Sequence, residues 1–332
     1  MGIGGIGMSA LARYFKVMGY EVAGYDRTSS PLTRKMTDKE GFEITYEDDE
    51  KGVREVFRDK EHTLVVYTPA VPQENRILSF FRDNGYALHK RAEVLGFLSH
   101  SKKALCIAGT HGKTTTTTML AFLLNRSHVG CSAFLGGISS NFGTNLLIDK
   151  DSDYVVIEAD EYDRSFLHLH PEIAVITAMD ADHLDIYGTH EHLIEAFEEF
   201  ALQTRGELFL RKGLELKKRT ITGYYAAGEK ADYYADRLRV DNGSYLFDYI
   251  GKDVEIRDLR ICFPGRVNVE NATAAITVAL YAGVTPEGGI VPNKQCYAHA
   301  FVILAASSAL TAGRPGAKEL LEEALDVYDQ HF

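Results

Sequence analysis

Lys113 and Thr114 are the residues best placed to hold a phosphate. They follow Gly109-Thr110-His111-Gly112 directly and open a threonine run, Thr114 to Thr118. Upstream, Ala104-Leu105-Cys106-Ile107-Ala108 is a short apolar run that reads as a buried strand, and downstream Met119 to Leu124 reads as helix. A strand, a glycine turn, a lysine and hydroxyls at a helix start are the parts of an anion cradle. Backbone N–H groups and the helix N-terminus face the anion, Lys113 adds a point charge, and Thr114 reaches a magnesium ion. The general loop of this kind carries a glycine five residues before the second one. That slot is Ile107 here, so the match is to a shorter form, Gly-Thr-His-Gly-Lys-Thr.

Two further polar clusters follow apolar strands. Tyr154-Val155-Val156-Ile157 delivers Glu158-Ala159-Asp160-Glu161-Tyr162-Asp163, four carboxylates in six residues. At a strand end they need solvent or a cation, and Mg²⁺ meets that need. Ile173-Ala174-Val175-Ile176-Thr177 leads to Asp180-Ala181-Asp182-His183-Leu184-Asp185. Ligands collect beyond the carboxyl ends of parallel strands. The three clusters therefore predict one nucleotide–metal site at the top of one sheet, with Lys113, Glu158 and His183 around it.

A second anion motif opens the chain. Gly2, Gly4 and Gly7 of Met1-Gly2-Ile3-Gly4-Gly5-Ile6-Gly7 fit Gly-x-Gly-x-x-Gly, Leu11 to Met18 has helical apolar spacing, and Tyr20 to Tyr25 reads as a strand ending at Asp26. This is the layout of a Rossmann-like unit gripping a pyrophosphate. The strand expected before Gly2 is missing, since only Met1 precedes it. Thr63 to Thr68 is a further strand, and its end at Pro69-Ala70-Val71-Pro72 either touches the same ligand or is a plain turn. Residues 73–98 read as helix, short strand (Tyr86-Ala87-Leu88) and helix from Arg91, with a polar seam at Ser99 to Lys103 as the first domain boundary.

Downstream, the glycine- and asparagine-rich stretch Phe134 to Asn145 reads as a loop, either lining a pocket or merely connecting. Thr189 to Gln203 is an amphipathic helix with a capping threonine. Asp241-Asn242-Gly243 signals a hairpin in a small antiparallel patch beside the main sheet. A helix runs from Ala272 to Ala282, and an asparagine at its start (Asn268, Asn271) either caps it or reads an adenine edge.

The chain has 332 residues, 45% hydrophobic and 25% charged, which predicts two or three ordinary globular domains. No apolar run approaches the ~20 residues of a membrane span, so no membrane insertion is expected. The net charge of −11 argues against nucleic acid as a partner. Cys106, Cys131, Cys262 and Cys296 lack metal-ligand spacing and read as free thiols of a cytoplasmic protein.

Taken together, the motifs resemble the Mur ligases from Gly2 to about Pro286. Gly-Ile-Gly-Gly-Ile-Gly-Met-Ser-Ala-Leu-Ala resembles their opening, Gly109 to Thr115 their ATP loop, Glu158-Ala-Asp-Glu and Asp180-Ala-Asp-His-Leu-Asp their metal loops, and Asn268-Val-Glu-Asn271-Ala their adenine-contacting helix start. The resemblance implies an α/β fold: a Rossmann-like UDP-sugar domain (1–100), a central P-loop ATPase-like parallel sheet with a small antiparallel patch (101–286), and an incomplete C-terminal α/β domain (287–332). It implies ATP-dependent ligation of L-alanine to UDP-N-acetylmuramate through an acyl phosphate, in peptidoglycan precursor synthesis. Lys113 would hold the β/γ-phosphates, Thr114 and Glu158 one Mg²⁺, and His183 a second ion. Gly109, Thr110, His111, Gly112 and Thr115 would line the ATP loop, Asn271 would meet the adenine, and Gly2, Gly4, Gly5 and Gly7 the UDP pyrophosphate. The implied assembly is a monomer or weak homodimer.

The chain departs from the family pattern in carrying Val267 where a histidine is usual and Cys296 where an aspartate is. Residues 287–332 are too few for the family's last domain. Either the protein stops short, or residues are omitted near Gly288-Gly289, near Asn293 to Cys296 and between Ala312 and Lys318. The alternatives to the alanine ligase are a sister ligase that adds a peptide and a remnant that binds UDP-sugar and ATP without turnover.

Overall fold

The computed structural model describes residues 1–262 and 265–285, with Lys318 and Glu322 beyond them. The remnant domain and the expected omissions lie outside the described residues.

Met1 to Ile3 run between two small parallel sheets. The Met1 amine donates to the Val66 carbonyl at 2.8 Å, and the Gly2 and Ile3 amides donate to that of Tyr25 at 2.8 and 3.0 Å. They sit where the central strand of a Rossmann-like unit belongs, although they form no strand themselves. One flanking sheet pairs β1 (Ala23–Tyr25) with β2 (Glu43–Thr45), and the other pairs β3 (Val65–Tyr67) with β4 (Leu88–Lys90). Helices α1 (Ile6–Val17), α2 (Pro31–Glu40), α3 (Arg76–Asp83) and α4 (Arg91–Ser101) connect and cover them. The strands are shorter than their apolar runs: Tyr20 to Val22 and Thr63-Leu64 lie outside them. The short strand expected at Tyr86 to Leu88 lies two residues later. The polar seam is no open linker, because Ser99 is fully buried and its hydroxyl accepts from the His170 amide.

After Lys102 a single large sheet begins. Its strands are β5 (Lys103–Ala108), β6 (Ser132–Ser139), β7 (Thr144–Leu147), β8 (Tyr154–Ala159), β9 (Ile173–Ile176), β10 (Glu207–Arg211), β11 (Gly223–Ala227), β12 (Tyr233–Asp241), β13 (Ser244–Ile250) and β14 (Glu255–Ile261). Helices α5 (Lys113–Asn125), α6 (Leu184–Tyr187), α7 (His190–Gln203) and α8 (Arg266–Tyr281) complete the domain. The order β14-β13-β12-β11-β10-β9-β5-β8-β6-β7 is parallel from β12 through β6 and antiparallel at both margins. The near-continuous apolar runs of β5, β8 and β9 reflect burial on both faces. Cys106, Ala108, Ile157 and Ala174 face one core with α7, and Leu105, Ile107, Val156 and Val175 face the other with α5 and α8.

Two expectations need correction, at Phe134 to Asn145 and at Asn271, while the small antiparallel patch is present as expected: β12 pairs in parallel with β11, so its hairpin extends the main sheet. Its turn, Asn242-Gly243, has both residues at positive φ as the hairpin signal requires. The stretch Phe134 to Asn145 is a β6–β7 hairpin, with Ser132 to Phe134 paired to β8. Its glycines concealed the strand, and Gly136 is needed because a Cβ there would stand 2.3 Å from Glu158 Oε2. Lastly, α8 starts at Arg266, so Asn271 lies in its second turn and is not a cap.

Among the described residues no helix is long and apolar enough to cross a membrane.

Candidate active site

β5 lies between β8 and β9, so the phosphate loop, acid loop and histidine loop leave three neighbouring parallel strands on the same side. The loop after β5 is held by its neighbours. The Thr110 amide donates to the Ala178 carbonyl at 3.1 Å, and the Thr177 hydroxyl contacts the carbonyls of Ala108 and His111. Gly109 and Gly112 have φ of 128° and 83°. A Cβ on Gly109 would meet Thr177 Oγ1 at 2.3 Å, and one on Gly112 would meet Asn271 Oδ1 at 2.8 Å. Both positions therefore demand glycine for conformation and for space. Asn271, 6% exposed, thus stands against the phosphate loop, and the 16-residue α8 brings it there.

Lys113 opens α5 and turns back over the loop. Its Nζ donates to the Gly109 carbonyl at 2.7 Å and to Glu161 Oε1 at 3.0 Å, and lies 2.9 Å from Glu161 Oε2. Glu161 is wholly buried, which a carboxylate tolerates only when paired. Its second neighbour is His183, with Nε2 3.5 Å from Oε1. Tyr187 fixes the loop by donating to the Glu161 carbonyl at 2.6 Å. Burial beside these acids pushes the Tyr187 phenol up to about 12, so it stays a donor across the neutral range.

Thr114 and Glu158 form the second half. The Thr114 hydroxyl donates to Glu158 Oε1 at 2.9 Å, and the Gly136 amide to Oε2 at 3.0 Å. Burial raises the pKa of Glu158 above the ordinary carboxylate value, and these two hydrogen bonds oppose that rise. Thr110 Oγ1 stands 3.5 Å from Asp180, which also lies 3.7 Å from the exposed His111 ring. The predicted metal set divides here: Thr114 and Glu158 touch, whereas His183 faces Glu161. Among the described residues no group of three His, Cys, Asp or Glu side chains forms a metal cage.

The residues present fit a nucleoside triphosphate with a magnesium ion. Glycine backbone, with no Cβ in the way, lines the cradle, and Lys113 has only a carboxylate and a carbonyl to leave. Thr114 and Glu158 are hard oxygen donors suited to Mg²⁺.

The amino-terminal glycine turn faces the same cleft, of about 500 Å³, lined by Gly2, Gly5, Gly7, Arg91, Gly136, Glu158 and others. Gly4 is held at the edge, its amide donating to Asp26 Oδ2 at 2.7 Å. Asn145 ties the two domains together, donating to the Ile6 carbonyl at 2.6 Å and accepting from Arg13 at 3.1 Å, while Tyr14 packs on Phe134. Glu161, Thr177, Asn145 and Arg91 were not singled out from spacing. Arg91 directly follows the strand Leu88 to Lys90, so the strand-end rule that picked out the other clusters applies to it too.

An arginine-and-glycine cleft beside a lysine-bearing phosphate loop on a parallel sheet has the layout of an α/β phosphate-binding fold. Profile comparison narrows the class. The Mur ligase middle domain matches residues 107–279, more than half of the chain, and the Mur ligase catalytic domain matches 1–103. The chain belongs to the Mur ligase family. A UDP-N-acetylmuramate–L-alanine ligase of Phocaeicola vulgatus is 51% identical over 292 residues, covering 86% of this chain and 64% of that protein. The UDP-N-acetylmuramate–alanine ligase MurC of Thermotoga maritima superposes with a TM-score of 0.72 at 27% identity, over 86% of this chain and 65% of that one. A UDP-N-acetylmuramate:L-alanyl-γ-D-glutamyl-meso-diaminopimelate ligase from Neisseria has the same fold, with a TM-score of 0.72 at 24% identity, covering 85% and 92%. The chain spans about 64% of the length of the curated relatives it matches. Residues 270–332 carry a separate likeness, to N-acylglucosamine 2-epimerase, which competes with the expected remnant domain for 287–332.

Proposed function

We propose that the protein is the nucleotide-binding part of an ATP-dependent ligase that joins L-alanine to UDP-N-acetylmuramate, supplying peptidoglycan precursors in the cytoplasm as a monomer or weak homodimer. The observation that carries this reading is the single cleft shared by the glycine turn and Glu158, next to the phosphate loop. A sugar nucleotide held at Gly2 to Gly7 would extend its carboxylate toward a triphosphate held at Gly109 to Thr115. The names and identities of the curated relatives support alanine as the amino acid.

In this reading Lys113 leaves Glu161 to neutralise the β/γ-phosphates, and Glu161 passes to His183. The glycine amides would fix the phosphate chain, and Asn271, which stands where α8 meets the loop, would meet the adenine. Thr114 and Glu158 would hold a Mg²⁺ ion, which would supply charge neutralisation for phosphoryl transfer. Phosphoryl transfer to a carboxylate needs positioning more than covalent help, and these residues supply it.

Phosphate release from ATP that requires both UDP-N-acetylmuramate and L-alanine is the expected result, measured on this chain and on a form extended to the relatives' length. Release that requires an alanyl peptide instead of alanine would favour the sister ligase. Thermal stabilisation by both nucleotides with no phosphate release from either form would favour a binding protein.

A further inference from the structure

Arg91 has no place in the phosphate loop or the acid loop, yet it stands between the two anion motifs. It opens α4, directly after β4, and its half-buried side chain reaches into the 500 Å³ cleft. On one side is the first turn of α1, whose N–H groups no side chain caps. The guanidinium lies so close there that a Cβ on Gly7 would stand 2.6 Å from Nη1 and 2.9 Å from Cζ. On the other side are Glu158 and Asp160, near enough to act on its charge but not as ion-pair partners. Burial lowers the pKa of Arg91, as expected for a cation short of solvent and of close counter-charge. Every other buried or half-buried charge in the site has a close partner: Lys113 has Glu161, and Glu158 has Thr114 and Gly136. A desolvated arginine without hydrogen bonds is costly unless a ligand completes it.

We propose that Arg91 is a ligand of the sugar nucleotide's diphosphate, clamping it against the first turn of α1. The proposal rests on the UDP-sugar reading above. An arginine fork matches two phosphate oxygens, and the helix start supplies amides on the opposite side. Gly7 then has a definite role: its missing Cβ is the space the guanidinium occupies. The same cation lies beside Glu158, so the diphosphate would also shield Arg91 from the acid loop.

The test is calorimetric titration with UDP and with UDP-N-acetylmuramate, ADP·Mg²⁺ being present to fill the phosphate loop. Arg91→Ala is expected to weaken UDP binding by on the order of 10- to 100-fold, the scale of one or two charge-assisted hydrogen bonds. Arg91→Lys should recover part of the loss, since it restores charge without the fork. ADP·Mg²⁺ binding should be unchanged in both. Gly7→Ala keeps the arginine but fills its space, and should also lose UDP affinity. It carries the test should Arg91→Ala unfold. Wild-type UDP affinity in Arg91→Ala and Gly7→Ala would overturn the proposal. A loss seen only with UDP-N-acetylmuramate, with UDP unaffected, would also overturn it, because the arginine would then read the sugar's carboxylate. A wild-type chain that binds ADP but neither uridine nucleotide would overturn the UDP-sugar reading itself.

Discussion

The two anion motifs rest in opposite electrostatic states. The phosphate loop after β5 is satisfied: Lys113 is paired with a fully buried Glu161, and Thr177 braces the glycines from β9. The amino-terminal turn has short three-residue strands beneath it, borrows its support from Asn145 on β7, and leaves Arg91 without a bonded partner. On the proposed reading, the first site is preorganised by its own sheet, and its ligand would displace an internal carboxylate. The second would be completed only by its ligand, and Asn145 braces it from β7. A triphosphate would thus meet a rigid loop with an exchangeable counter-ion, whereas a sugar nucleotide would supply the missing charge itself.

The sharpest way to break this contrast is to remove the internal counter-ion pair. Lys113→Ala leaves Glu161 buried without its lysine, and losing one partner of a buried pair costs about 3–5 kcal/mol. Lys113→Ala/Glu161→Gln should recover most of that stability while still failing to bind ADP tightly. Urea unfolding of wild type, single and double variants measures it. Equal stability of the single variant and wild type would show that Glu161 is not held by Lys113.

A smaller effect is expected at Gly109. Alanine there is strained at φ 128° and collides with Thr177, a cost of roughly 1–3 kcal/mol. Gly109→Ala should therefore lower Tm and weaken ADP while leaving UDP binding intact. Gly7→Ala should do the reverse, because its Cβ meets only the movable end of Arg91. Thermal melts with each nucleotide separate the two, and a loss of both ligands in either variant would mean the sites are not independent.

Much of this arrangement was legible in the sequence because parallel strands buried on both faces read as unbroken apolar runs. Ala104 to Ala108, Tyr154 to Ile157 and Ile173 to Thr177 stand out, and each hands its polar cluster to the same edge. The glycine spacing likewise gave the anion turn, although the strands beside it came out shorter than their runs. What stayed hidden depends on contacts distant in sequence. Nothing local in Glu158-Ala159-Asp160-Glu161 tells which carboxylate is buried. Glu161 is, because Lys113, 48 residues earlier, and His183 both reach it. Gly136 and Gly137 disguised β6 as a loop, and Gly136 is there for the close approach of Glu158. Asn145 looked like loop polarity, and its partners lie 132 and 139 residues away.

Asn145 sharpens the comparison on the amino-terminal side. It is 1% exposed and its amide bridges Arg13 and the Ile6 carbonyl, at the start of α1. Asn145→Ala removes this tie, while the Ile6 carbonyl keeps the Ser9 hydroxyl and Arg13 keeps Glu40, so the cost is about 1 kcal/mol. UDP binding should weaken as α1 loosens, with ADP binding preserved. Equal losses for both nucleotides would place Asn145 in general packing instead of in support of the glycine turn.

The smallest effect in the absence of metal concerns Glu158, where the two halves of the cleft meet. Burial raises its folded pKa above the ordinary carboxylate value, so the folded state holds the proton more tightly than the unfolded chain does. A raised carboxylate pKa contributes stability that is present below the unfolded value and lost as pH rises through the folded one. In the absence of divalent cations, wild-type stability should therefore fall modestly with rising pH just above the ordinary carboxylate range. Glu158→Gln keeps an acceptor for the Thr114 hydroxyl or the Gly136 amide but has no proton to lose, so that slope should flatten and the variant should match or slightly exceed wild type at neutral pH. Magnesium reverses the ranking. A cation bound only by the folded wild type adds about 2.7 kcal/mol at a hundred times its Kd, and the amide forfeits most of that gain. Thermal melts across pH, with and without Mg²⁺, read both effects. A glutamine variant that keeps the pH slope, or that gains as much from Mg²⁺ as wild type does, would remove Glu158 from the metal-holding role.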